Sequence, residues 1–388
     1  MKILYHHRTA SKDGQAVHIE EMVAALRALG NEVLIVAPAV GGDGAMGGKL
    51  GWVHRLKDAL PRALYELLEL AYTLLAYRQL KAAADAFRPD FIYERYNLFL
   101  LAGVMLSRRS KIPLLLEVNS PLVYERSQHS GGLALKALAR WAEATAWRGA
   151  RWVLPVTQVL ATHAQAYGVA RERIAVIANG INEAHFTNAP APDAARQTLG
   201  LSGSLVLGFT GFVRQWHGVD RVIRWMASPA APANAFLLVV GDGPVRAELE
   251  ALAGELGIAA RVRFTGVVAR DEIPRYVAAF DIALQPAVTA YASPLKLMEY
   301  LVLGKAIIAP REPNLLEILS DGENALMFAG EQAGGLEDAL SALCADAGLR
   351  ARLGAGAKRS IGERQLTWNA NAARVIALAR GAIDDPRP

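Results

Sequence analysis

Two doubly wound α/β domains facing each other across a central cleft are predicted by three features of this sequence. Short apolar runs alternate with amphipathic helical stretches along nearly the whole chain. The alternation is interrupted once, near the middle, by a segment with linker chemistry. The 388 residues exceed one ordinary core and suit two domains of roughly 150–200 residues each.

The elements follow in order. In the first half, strands are expected at Lys2–His7, Val33–Pro38, Phe91–Glu94, Leu114–Asn119, Trp152–Thr157 and Ala175–Asn179. Most are rich in Val, Ile and Leu and bounded by Gly, Pro or Asn, as parallel strands buried on both faces are. A helix is expected over Gln15–Gly30, with Val17, Met22, Leu26 and Leu29 at helical spacing and Gly30 as the stop. Asn188–Gly203, with its Pro, Gly and Ser residues, reads as the linker. Strands then recur at Leu205–Gly211, Phe236–Gly241, Val262–Gly266, Ile282–Pro286, Ala306–Pro310 and Ala325–Phe328. The domains are accordingly drawn as 1–187 and 205–365, with 188–204 between them and a C-terminal helix within 366–388 returning to the first.

Composition narrows the function classes. Hydrophobic residues make up 53% and charged residues 20%, which excludes wholesale disorder. The lone Cys344 excludes a disulfide scaffold and a multi-cysteine metal site. The formal charge of +5 is unevenly placed: residues 1–185 hold 22 Lys+Arg against 16 Asp+Glu (net +6), and the remainder 20 against 21 (net −1). A basic half beside a neutral one suits an anionic partner, a membrane surface or a phosphorylated acceptor, or is simply a solvated face. Ala59–Tyr77 is the most apolar long stretch, but Arg62, Glu66 and Glu69 argue against a membrane span. The N-terminus lacks the apolar core of a signal peptide, so a cytoplasmic protein is expected. Along Trp52–Phe87, Arg55, Lys57, Arg62, Arg78 and Lys81 accompany Leu56, Leu60, Leu64, Leu67, Leu68 and Leu75. The favoured reading places these leucines in the core; the alternative is an amphipathic helix on an anionic membrane. Aromatic and basic residues do not interleave as in nucleic-acid binders, and no nucleic-acid partner is expected.

In doubly wound sheets chemistry sits outside the carboxyl ends of the strands. Tyr291-Ala-Ser-Pro-Leu-Lys-Leu-Met-Glu-Tyr300 is the most specific such segment. Ser293 and Pro294 read as a helix entrance, Ser293 capping. The N–H groups of Leu295 and Lys296, with the Lys296 ammonium, would make an anion site. Glu299, one turn on, could accept a ribose diol. The competing reading is an ordinary capped helix with a surface Lys and Glu. Gly211-Phe-Val-Arg-Gln-Trp-His-Gly218 offers Arg214 and His217 for phosphate oxygens. Gly241-Asp242-Gly243-Pro244 falls short of a dinucleotide fingerprint, because Arg246 replaces its third Gly, and reads as a turn bringing backbone close to a nucleotide. In the first half, Gly14 opens a helix that carries His18, and Glu117-Val-Asn119 leads to Glu125. These are acceptor contacts or loop anchors. Hydrolase-elbow, P-loop and zincin motifs are missing, and so is an Asp-x-Asp pair for a donor's metal.

Taken in order, several segments resemble retaining family 4 glycosyltransferases, whose two-Rossmann architecture is called GT-B. They are the opening strand with Asp13-Gly14 and its helix, Ile177-Ala-Asn-Gly-Ile181, Val240-Gly-Asp-Gly-Pro244, Phe264-Thr-Gly266, Pro294-Leu-Lys…Glu299 and Leu303-Gly-Lys305. The resemblance covers essentially the full length. It implies that Glu299 holds the donor ribose and that Ser293, Pro294, Leu295 and Lys296 lie against the sugar and diphosphate. Asp242 and Gly243 would lie near the nucleotide, and Gly14 would line the diphosphate.

Two departures stand out. The family's Arg and Lys positions after the first strand of the second domain are Phe212 and His217 here, so Arg214 and His217 are expected to take over the phosphates. The first Glu of the paired-glutamate motif falls on Tyr291, which matches a Tyr-x-Ser-Pro-Leu-Lys subgroup and leaves the donor sugar unnamed.

The resemblance implies metal-free transfer with retention, without a protein nucleophile or cofactor. Arg214, His217 and Lys296 would stabilise the leaving diphosphate. A UDP-sugar is favoured as donor on family frequency. The expected acceptor is a saccharide or lipid-linked saccharide in envelope polysaccharide or glycolipid assembly, met on the inner face of a membrane. Acceptor-side contacts fall to His18, Asn119 and Glu125. Alternatives are a sugar-nucleotide epimerase of the same fold, or a non-catalytic nucleotide-sugar-binding relative.

Overall fold

The structure is a computed structural model that describes residues 1–9, 14–38, 60–129, 132–330 and 332–384. It divides into two compact units, Met1–Ala178 with Asn369–Pro388, and Asn179–Trp368.

The first unit is built on β1 (Lys2–His6), β2 (Glu32–Val36), β3 (Phe91–Arg95), β4 (Leu114–Val118) and β5 (Trp152–Pro155). All pairings are parallel, in the order β2-β1-β3-β4-β5. The chain reverses direction across the sheet between β1 and β3, the position where such sheets bind ligands. The strand expected at Ala175–Asn179 does not form. Ala175 and Ile177 donate to Val153 and Pro155, but only an isolated bridge from Ile174 to Val153 results. The first helix spans Gly14–Ala28, and the chain leaves it through Gly30 at φ 78°, a conformation glycine adopts without steric penalty.

The helix Arg62–Phe87 reverses the expected polarity. Leu64, Leu67, Leu68, Leu74 and Leu75 are exposed, while Glu66, Glu69, Thr73, Ala76, Leu80 and Ala84 face inward. The core assignment for Leu64, Leu67, Leu68 and Leu75 is therefore corrected; Leu56, Arg55 and Lys57 lie outside the described residues. The cause is local hydrogen bonding. Glu66 accepts the N–H groups of Ala134 and Leu135 at 2.8 and 2.7 Å, ahead of the helix Lys136–Gly149. Glu69 pairs with Arg126 at 2.7 Å, and Thr73 accepts from Leu101, which precedes the helix Ala102–Ser110. Buried polar groups with partners of this kind satisfy helix ends that would otherwise be orphaned.

The second unit is built on β6 (Leu205–Thr210), β7 (Ala235–Val240), β8 (Val262–Phe264), β9 (Ile282–Leu284), β10 (Ala306–Pro310) and β11 (Leu326–Phe328). The order is β11-β10-β9-β6-β7-β8, again all parallel. Its strands are apolar on both faces. Leu207, Phe209, Leu237, Val239 and Ile308 pack into one core with the helix Val219–Met226. Val206, Leu238, Val240 and Ile307 pack into the other with the helix Leu295–Val302. Full burial stabilises each such side chain by about 1.5–3 kcal/mol. The direction of winding reverses between β6 and β9. The segment read as linker holds a helix, Pro192–Thr198, with Pro at its first turn.

The last helix, Trp368–Asp384, lies almost wholly in the first unit, where Asn371 and Arg374 donate to the carbonyls of Ala178 and Val176 at 2.7 Å. Among the described residues no helix is long and apolar enough to cross a membrane.

Candidate active site

In the second unit the polar residues gather at the carboxyl ends of β6 and β9. Thr210, the last residue of β6, donates its backbone N–H to the Tyr300 hydroxyl oxygen at 2.9 Å. Its own hydroxyl donates to Glu299 Oε2 at 3.1 Å. Helical spacing brings Lys296 to the same place, three residues before Glu299 on Leu295–Val302. The Lys296 ammonium rests 3.5 Å from the centroid of the Phe209 ring, a cation–π contact. Its Nζ is buried and has no hydrogen-bond partner among the described residues. Burial pushes the Lys296 amine down to about 7, against the pull of Glu299. Burial pushes the Glu299 carboxyl up to about 7, opposed by Thr210, Lys296 and Arg270. A buried cation with its donors unused is costly and rare; an anionic ligand would satisfy it.

The loop after β6 supplies the next layer. Arg214 is exposed, its guanidinium over the rings of Phe212 and Trp216 at 4.9 and 5.1 Å. Its backbone N–H donates to His217 Nδ1 at 3.2 Å. Burial, then Lys296 and Arg214, push the His217 imidazole down to about 3. The neutral form of the ring is therefore favoured in this arrangement. With Nδ1 accepting, the proton sits on Nε2, which leaves a neutral donor.

Ser293 does not cap the following helix. Pro294 occupies the cap position without a side-chain bond. The Ser293 hydroxyl instead accepts the Asn179 N–H at 3.2 Å, and the Asn179 amide donates back to the Ser293 carbonyl at 2.6 Å. Ser293 thus anchors the preceding loop. Asn314, fully buried, holds that loop from below by donating to Thr289 and Ala292 at 3.1 and 2.6 Å, which pins the turn carrying the buried Tyr291.

The glycines of the Gly-Asp-Gly turn pack against a neighbouring loop. A Cβ on Gly241 would stand 2.1 Å from the Gly211 carbonyl oxygen, and one on Gly243 2.0 Å from that of Val213. The close approach that requires these glycines is to the neighbouring loop, sealed by the bond from Val213 N–H to the Asp242 carbonyl at 2.8 Å. The Asp242 carboxylate accepts the Gly243 N–H at 2.8 Å.

The first unit has its own polar edge. Glu117, buried at the end of β4, receives Arg95 at 2.5 Å, Tyr93 at 2.8 Å, Asn119 at 2.5 Å and His18 at 2.9 Å. Burial alone would raise the Glu117 carboxyl, but His18 and Arg95 hold it well below the usual carboxylate range. Beside it, His6 meets Glu94 at 2.5 Å. Two residues assigned to the acceptor side, His18 and Asn119, therefore converge on Glu117. Glu125 sits in the first turn of the helix Leu122–His129, and Gly14 begins the first helix. Sequence reasoning passed over Arg95, Glu94, His6, Thr210, Tyr300 and Asn314. Glu94-Arg95, charged residues closing an apolar strand, were the one legible signal among them.

Comparison with known proteins places this geometry. A family model described as Glycosyltransferase Family 4 matches residues 12–185, and one described as Glycosyl transferases group 1 matches residues 193–360. The 2-deoxystreptamine glucosyltransferase of Streptomyces kanamyceticus is 33% identical over 202 residues, 49% of this chain and 50% of that protein. The D-inositol 3-phosphate glycosyltransferase of Thermomonospora curvata is 26% identical over 400 residues, 97% of this chain and 92% of that one. This chain thus spans about half the length of the first relative and nearly all of the second. Anabaena Alr3699/HepE, solved in complex with UDP, shares the fold with a TM-score of 0.75 at 19% identity, over 98% of this chain and 100% of that one. The two family models, one for each half, and the parallel-sheet Rossmann-like architecture of both units agree: the chain belongs to the family 4, group 1 glycosyltransferases of GT-B fold.

Proposed function

We propose that this chain transfers a sugar from a nucleotide diphosphate sugar, with retention and without a metal, to a saccharide or lipid-linked saccharide acceptor. The observation that carries the reading is the buried ammonium of Lys296 beside Glu299, which has no hydrogen-bond partner among the described residues. A diphosphate would supply the anion that Lys296 lacks, and the Glu299 carboxylate would accept the hydroxyls of the attached ribose. As the bond to the sugar breaks, charge develops on the leaving diphosphate. Lys296, the neutral Nε2–H of His217 and the exposed Arg214 would stabilise it. Gly14, Asp242, Gly243, Tyr291, Ser293, Pro294 and Leu295 are assigned to the donor, and His18, Asn119 and Glu125 to the acceptor. UDP is the favoured nucleotide; the solved complex of the Anabaena protein with UDP supports it.

Assembly of envelope polysaccharide or glycolipid at the inner face of a membrane is the proposed setting. It is supported by the net +6 of residues 1–185 and by the exposed leucines of Arg62–Phe87. A thermal-shift screen with UDP-, GDP- and ADP-sugars tests the donor reading. UDP-sugars should raise the melting temperature of the native protein and lose that effect in Glu299→Ala. No shift with any nucleotide sugar would remove the donor assignment, and turnover abolished by chelator would remove the metal-free mechanism.

A further inference from the structure

The positive surplus of the first unit converges in part on a cavity that none of the chemistry above uses. It measures about 780 Å³ and lies at the edge of the first sheet where β3, β4 and β5 begin, the end opposite Glu94 and Glu117. Asp90, Pro113 and Arg151 in its wall each stand immediately before one of those strands. Ligands of the doubly wound catalytic kind bind at the other end of such strands.

Arg108, Lys111, Arg148, Arg151 and Arg173 line this cavity, against Asp90 as the one acid among the described residues of its wall. Asp90 is itself committed, accepting the Lys2 N–H at 2.7 Å. Arg173 is held in place by donating to the Arg148 carbonyl at 2.8 Å and to the Ala150 carbonyl. Burial, then the neighbouring Arg151, depress its guanidinium, so the cations here sit against one another at a cost. Arg108 and Lys111 are exposed at the mouth and form no ion pair among the described residues. Ile112, Pro113 and Ile383 give the same cavity an apolar side.

We propose that this cavity is a second anion site, one that takes a phosphate-bearing ligand with a small organic part. Several guanidinium forks on one space match the oxygens of a phosphate or diphosphate better than a single carboxylate, which would leave most of the charge unanswered. The volume exceeds what inorganic phosphate fills, and the apolar side accommodates the carrier. The phosphate could be borne by a soluble molecule or by a lipid headgroup, and the chemistry of recognition is the same.

The full-length protein with Lys296→Met, which silences the candidate donor cation, separates this site from the one in the second unit. Inorganic pyrophosphate is titrated calorimetrically into it, and phosphatidic acid vesicles are compared with phosphatidylcholine vesicles by sedimentation. Pyrophosphate binding, or selective binding to phosphatidic acid, is expected, and the paired substitution Arg108→Glu with Lys111→Glu should weaken it at least tenfold. Binding of pyrophosphate assigns a soluble ligand, and binding of the vesicles alone assigns a headgroup. Both substitutions are at exposed positions, and an unchanged melting temperature verifies the fold. Absence of both kinds of binding, or binding indifferent to the charge reversal, overturns the proposal.

Discussion

Glu117, on a strand, and Glu299, on a helix, both bring a carboxylate to the carboxyl-end edge of a parallel sheet, and they are shifted in opposite directions. Glu117 is buried among Arg95, His18, Tyr93 and Asn119, and those partners outweigh its burial. Glu299 has a threonine hydroxyl and a lysine that is itself desolvated, and burial wins. A satisfied charge network is architecture that orients its members; an unsatisfied one is a site prepared for a ligand. The first edge should therefore fail structurally when altered, and the second should fail functionally.

The largest expected effect on stability is at the first edge. Glu117→Ala leaves Arg95 buried without its carboxylate, and losing one partner of a buried pair costs about 3–5 kcal/mol. Chemical denaturation should show a loss of that size. A loss below about 1 kcal/mol would mean that solvent reaches Arg95.

Lys296→Met should behave in the opposite way. Removing an unpartnered buried ammonium leaves the unfolding free energy unchanged or raises it. The same substitution should lower kcat/KM about a hundredfold or more, the scale of losing one charge stabiliser. Equal losses of stability and activity would collapse the distinction between the two edges.

The second edge also carries a pH signature. The donor site needs Lys296 protonated and Glu299 ionised, and the two groups lie near 7 from opposite sides. Nucleotide affinity should peak near neutrality and fall by up to about tenfold per pH unit on either side. Glu299→Gln should remove the acid limb and Lys296→Met the alkaline limb. Stability runs the other way. The raised Glu299 pKa lowers stability as pH climbs from about 4.5 to 7, and the depressed Lys296 pKa restores it between about 7 and 10.5. Glu117, with its lowered pKa, contributes stability that is present above the unfolded carboxylate value and is lost as pH falls below it. A flat binding profile from pH 6 to 9 would contradict the pairing of Lys296 with Glu299.

The smallest effect belongs to Ser293→Ala. One neutral hydrogen bond to Asn179 is lost, about 0.5–1.5 kcal/mol, because the hydroxyl anchors a loop rather than a helix end. A slightly larger loss in nucleotide affinity than in stability would show that the loop positions the site.

Much of this protein was legible before any coordinates. Alternating apolar runs name the strands, because parallel strands covered on both faces must be continuously hydrophobic. Eleven strands form at or within a few residues of their expected places, and helical spacing alone puts Lys296 and Glu299 on one face. What only the tertiary structure decided are the partners. Helical periodicity identifies a leucine face on Arg62–Phe87 without saying whether core or solvent meets it. The unsatisfied ends of two neighbouring helices turned Glu66 and Thr73 inward. Glycines at 241 and 243 signal a close approach, and only packing shows that a loop does the approaching. Glu117 and Glu299 are identical letters in the chain; their opposite charge behaviour comes from which residues, distant in sequence, fold against them.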